Sequence, residues 1–126
     1  MTRQAWLQAI GLLGAVLVAA GAFGTHSLRD QVSPERLGTW NTGVRYGMWH
    51  LLAVFAIVVS KRELEQWRWV LRCWLVGIIV FAGSLFALVI LDTSWLGAVT
   101  PAGGILLISG WLIVFRNALL AVEIED

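Results

Sequence analysis

The chain has 126 residues, 59% of them hydrophobic and only 13% charged. Soluble domains run at ~45–50% apolar and ~25% charged, and a chain this short cannot hide such an excess inside itself. A net charge of +1 excludes a global field that would recruit nucleic acid, and the lone Cys73 excludes an intrachain disulfide or a multi-cysteine metal site.

Lipid is the solvent that accommodates this composition, and the mean hydropathy of +0.79 agrees. Crossing ~30 Å of hydrocarbon takes about 20 mostly apolar helical residues. Four segments qualify, at about 5–24, 34–60, 70–91 and 100–120. In lipid each must be helical, because unpaired backbone groups are costly there. The first, with Arg3 ahead of it and Ala20-Gly21-Ala22 near its end, superficially imitates a signal peptide, but it is long for a signal core. The second opens at Ser33-Pro34-Glu35, an N-cap, a first-position proline and an acidic first turn. From there Leu37, Trp40, Val44, Met48, Leu51 and Phe55 follow helical spacing, so this helix starts ahead of the membrane as an interfacial amphipathic segment. The connection at 61–69 is short and charged, and the one at 92–99 is short and nearly uncharged. Thr100-Pro101 reads as the N-cap and first position of the fourth helix. The predicted fold is an all-α membrane protein, one four-helix transmembrane domain over residues 1–126.

Lys and Arg set the orientation. Arg3, Lys61, Arg62, Arg68, Arg72 and Arg116 gather on one side, against Arg29, Arg36 and Arg45 on the other. Both termini and the Lys61 connection are therefore expected in the cytoplasm. Trp6, Trp67 and Trp69 would anchor the inner surface, and Trp40 and Trp95 the outer one. Arg45, Arg72 and Arg116 can snorkel to headgroups, and the acidic tail Glu123, Ile124, Glu125, Asp126 reads as a fraying helix end.

Polar groups inside a membrane are expensive, so each is a candidate site. Thr42, Tyr46 and His50 are spaced four apart and stack along one helical line, which should face other helices. His26, Asp92 and Thr100 end or open helices on the same outer side. His26, Thr42, Tyr46, His50, Asp92 and Thr100 thus form a candidate polar cluster. Three readings stay open for it: hydrogen bonds between helices, a proton or ion pathway, or a metal site. No motif for catalysis, phosphate binding or a cofactor is present, so no enzyme activity and no cofactor are expected.

Small residues mark faces where helix backbones can approach: Gly11, Ala15 and Ala19; Gly43 and Gly47; Gly77 and Ser84; Gly103 and Gly110. Packing inside one bundle accounts for such lines, and some of them suit a homo-oligomer interface or contact with other membrane proteins.

Gly21-Ala22-Phe23-Gly24-Thr25-His26 resembles the Gly-Ala-Phe-Gly-Ala-His signature of the domain-of-unknown-function 423 family, small bacterial inner-membrane proteins with animal relatives named transmembrane protein 256. The likeness continues through Trp40, Thr42, Tyr46, Met48 and His50, then Gly83-Ser84-Leu85, Thr100-Pro101-Ala102-Gly103-Gly104 and Gly110-Trp111. Thr25 replaces the usual Ala, Gly47 a usual Gln, and Phe86 a common Tyr. The resemblance implies a multi-pass protein of the inner membrane with links to envelope integrity and supplies no reaction. A structural or accessory role is expected, with a small oligomeric transporter or channel as the alternative.

Overall fold

A computed structural model describes residues 1–60 and 63–125, with side chains described as far as Leu120. Lys61, Arg62, Asp126 and the side chains of Glu123, Ile124 and Glu125 lie outside the described residues. The chain is an all-α four-helix membrane bundle: α1 Arg3–His26, α2 Pro34–Val59, α3 Arg68–Leu91 and α4 Thr100–Glu125. Short 3-10 turns at Leu28–Asp30, Leu64–Trp67 and Ser94–Ala98 connect them, and there is no strand among the described residues. All four helices are long and apolar enough to cross a bilayer. One end of the bundle carries the termini. The other, here the loop end, carries the connections after α1 and α3.

Local chemistry explains most of the helix ends. Thr2 caps α1 by accepting from the Ala5 amide, and Ser33 caps α2 by accepting from the Arg36 amide. At ~1.5 Å per residue α2 is ~39 Å long, more than the ~30 Å of a hydrocarbon core. Arg3 donates to the carbonyls of Val58 and Ser60, placing a cation on the negative end of α2. Asp92 ends α3 in the left-handed conformation (φ 48°), with its N–H on the Leu88 carbonyl. Thr100 departs from its expected capping role. It is already helical, and its hydroxyl pairs with Ser84 at 2.8 Å, because α4 begins against α3 rather than free in solvent.

The third helix is central. It packs along both α2 and α4, while α1 packs along α2. Val54, Val58, Leu71, Trp74, Ile78 and Leu107 form the main core, and Leu28, Trp40, Leu88 and Val89 form a smaller one at the loop end. Large apolar side chains are exposed on every helix, as lipid contact requires. The closest helix approach is between α3 and α4. A Cβ on Gly103 would lie 2.4 Å from the Phe81 backbone nitrogen, and one on Gly110 would lie 2.3 Å from the Trp74 indole nitrogen. Gly43, Gly47, Gly77 and Ser84 also lie buried against neighbouring helices. Gly11, Ala15 and Ala19 differ: all three are exposed, and nothing lies within 4 Å of a Cβ at Gly11. That face of α1 turns away from α2, which is the helix α1 packs on.

Trp6 and Trp40 are not the interfacial anchors that their positions suggested. They are 4% and 6% exposed, respectively. Trp40 shares a face of α2 with Gly43 and Gly47, which points into the bundle. Its indole N–H donates to the Ala20 carbonyl at 2.8 Å, and its ring packs on Phe23 and Phe86. Trp69 and Trp95 are exposed, and Arg68 and Arg72 lie over the Trp69 ring.

Candidate functional site

The candidate polar residues do not form one cluster. The fold divides them into three separate sites along the bundle and leaves His26 apart. At the loop end, Arg36 reaches across from α2 to donate to the Asp92 carboxylate at 2.8 Å. Asp92 is well exposed, so this pair contributes ~0–1 kcal/mol. One step into the bundle, Ser84 and Thr100 join α3 to α4, and Ser84 also donates to the Phe81 carbonyl at 3.0 Å. His26, at the last position of α1, is exposed and makes no hydrogen bond among the described residues.

The third site lies near the middle of the bundle and is centred on His50. Its imidazole sits between α2, α3 and α4, with Trp74 and Trp111 edge-on at 6.3 and 6.1 Å. The Trp111 indole N–H donates to His50 Nε2 at 3.0 Å. An indole N–H can only donate, so Nε2 is the accepting nitrogen. The proton therefore resides on Nδ1, which donates to the Tyr46 carbonyl at 2.7 Å. Both ring nitrogens are used within the fold, and the tautomer follows from the partners.

Tyr46 lies one helical turn from His50, with its ring stacked 6.4 Å from the imidazole and 5.4 Å from Phe81. Trp74 and Trp111 lie 4.7 Å apart, and the Trp74 indole donates to the Leu107 carbonyl at 3.2 Å. Gly110 makes that possible, since any side chain there would occupy the indole's place. Thr42, Tyr46 and His50 line one wall of a groove of ≈ 460 Å³ between α2 and α4, with Phe81 as its floor and Leu107 and Trp111 on the far wall. The expectation that this polar line faces other helices holds for buried His50, whereas Tyr46 is 40% exposed. The Thr42 hydroxyl donates to the Gly38 carbonyl at 2.9 Å, within its own helix.

Chemically, the site satisfies its buried polar atoms. Among the described residues no buried side-chain nitrogen or oxygen lacks a partner, and no three His, Cys, Asp or Glu side chains are placed to share a metal ion. Trp74, Phe81 and Leu107 were not singled out as site residues from the sequence. Trp111 carried a usable signal. At ~1.5 Å per residue Trp111 lies ~17 Å along α4, near the centre of a ~30 Å hydrocarbon layer, where an indole N–H must find an acceptor.

Comparison with known proteins agrees with this architecture. The profile of the family described as "Protein of unknown function (DUF423)" matches residues 20–104. The chain is 38% identical over 109 residues to the UPF0382 membrane protein YwdK of Bacillus subtilis, covering 83% of this chain and 89% of that protein. It is 35% identical over 111 residues to a UPF0382 membrane protein of Haemophilus influenzae, covering 87% and 90%. It is 31% identical over 121 residues to the UPF0382 inner membrane protein YgdD of Escherichia coli, covering 94% and 92%. No solved structure matches. The matched region runs from late α1 to the start of α4, spanning the Trp40 contacts, His50 and the Gly103 contact, and this multi-pass membrane protein belongs to the DUF423 family.

Proposed function

We propose that the chain is a structural or accessory protein of the bacterial inner membrane that supports envelope integrity through helix packing. The observation that carries this reading is the closed hydrogen-bonding of His50, whose two nitrogens serve Tyr46 and Trp111. A proton relay needs a ring nitrogen free to exchange, and here each one ties helices or turns together. The distribution of Lys and Arg supports a cytoplasmic position for both termini, and a reporter fused to each end tests it. The exposed line Gly11, Ala15 and Ala19 suits a homo-oligomer joined through α1. Crosslinking of Gly11→Cys in a Cys73→Ala background should then yield a covalent dimer.

The groove beside Thr42, Tyr46 and His50 favours a second reading, a small oligomeric transporter. One pair of experiments separates the two. Deleting the gene in a bacterium that carries it should raise envelope permeability to a hydrophobic dye, and recovery in complemented cells should track the amount of folded protein. In parallel, proteoliposomes under a proton gradient should show no flux above protein-free vesicles. A His50→Ala protein that remains folded but loses a measurable flux would overturn the structural reading in favour of transport.

A further inference from the structure

A second groove, on the other side of α2, carries the sole unmatched cation at the loop end among the described residues. Two cavities, ≈ 640 Å³ and ≈ 300 Å³, follow one another between α1 and α2, open sideways; both are lined by Val18 and Met48, and together they outline a channel. Asn41 and Arg45 stand at its loop end, and Ile10 and Phe55 at its far end. From Arg45 to Phe55 it runs ~15 Å along α2. That is about the depth of one leaflet, half of a ~30 Å hydrocarbon core.

Charge decides what such a channel would hold. Arg29 and Arg36 pair with Asp30 and Asp92, but Arg45 has neither an ion pair nor a hydrogen bond among the described residues. Asn41, one turn away and half-buried, has no hydrogen bond there either. With Val59 at one hydrocarbon boundary, the Arg45 backbone lies ~9 Å inside the other. A guanidinium rooted at that depth is costly unless an anion meets it. From its channel it can reach up to the headgroup layer, as long basic side chains do.

We propose that this channel is a binding site for a single anionic phospholipid. The phosphodiester accepts hydrogen bonds from the Arg45 guanidinium and the Asn41 amide, and one acyl chain lies between α1 and α2 as far as Phe55. The planar fork of the guanidinium matches two phosphate oxygens at once. A lipid with one net negative charge neutralises Arg45, whereas a zwitterionic lipid brings a competing ammonium.

Native mass spectrometry of the full-length protein in mild detergent, titrated with phosphatidylglycerol or phosphatidylcholine, tests the site. The wild type should retain one phosphatidylglycerol in preference to phosphatidylcholine. Arg45→Gln should weaken phosphatidylglycerol retention about tenfold, and Arg45→Lys by less, since a charge-assisted contact is lost in the first and weakened in the second. Val18→Trp fills the channel from an exposed position and should displace the lipid while leaving Arg45 in place. Ile105→Trp, equally exposed on α4, should change nothing. Elution volume and circular dichroism verify that each variant is folded. Equal retention of the two lipids by the wild type, or full retention of phosphatidylglycerol by a folded Arg45→Gln protein, overturns the proposal.

Discussion

Gly103→Ala offers the sharpest test of how α3 and α4 are joined. The added methyl would lie 2.4 Å from the Phe81 amide nitrogen, 2.7 Å from its Cα and 2.8 Å from its Cβ. Favourable contacts between such atoms sit at ~3.5–4.0 Å, so the two helices must separate by ~1 Å. No rotamer change relieves this, because the nearest atoms are backbone. A gap of that size forfeits about a quarter to a half of each contact well along the interface. It also stretches the Trp74 to Leu107 hydrogen bond, already at 3.2 Å. Overpacking costs ~1–3 kcal/mol, and the better helix propensity of alanine offsets up to ~1 kcal/mol of it. With the full offset the net loss should be up to ~2 kcal/mol, as much as about a thirtyfold fall in the folded-to-unfolded ratio. Unfolding by sodium dodecyl sulfate in mixed micelles, followed by circular dichroism, reads the change. Gly38→Ala and Gly83→Ala serve as controls, because nothing lies within 4 Å of a Cβ at either position. If Gly103→Ala unfolds at the same detergent fraction as these controls, the close α3–α4 packing is wrong.

Three further outcomes are expected from the same assay. Trp111→Phe removes the donor to His50 and shrinks the indole to a phenyl ring, and should cost at least ~0.6 kcal/mol; His50→Ala should cost more, since it also empties the space against Trp74. Gly24→Ala places a methyl 2.8 Å from Trp40, so a double-mutant cycle of Gly24→Ala with Trp40→Phe should show coupling above ~0.5 kcal/mol; strict additivity would separate those residues. Asp92→Asn keeps a residue that tolerates the left-handed conformation and loses only the exposed pair with Arg36, so a loss above ~1 kcal/mol would contradict the weak role given to that pair.

How far the sequence reaches can be judged from particular residues. Ser33 and Pro34 announce the start of α2 because capping is local: a hydroxyl meets an amide three residues along, whatever surrounds it. His50 was legible as a polar residue in an apolar span, which must find partners somewhere. Its partner Trp111, 61 positions away, was not, because helical periodicity fixes a face and says nothing of which helix that face meets. Trp40 shows the same limit. An indole near a helix end suits an interface equally well as a buried pocket, and only the space left by Gly24 on α1 decides for burial.

Composition and helical periodicity alone determined a bundle of four membrane-crossing helices, since hydrocarbon demands that each span satisfy its own backbone. Tertiary structure alone decided that α3 lies at the centre, that the polar positions divide among three sites, and that Gly11, Ala15 and Ala19 face outward. The physical reason is one of range. Lipid selects apolar helices through energies each segment carries by itself. The pairing of helices rests on steric fit and single hydrogen bonds between residues remote in the chain.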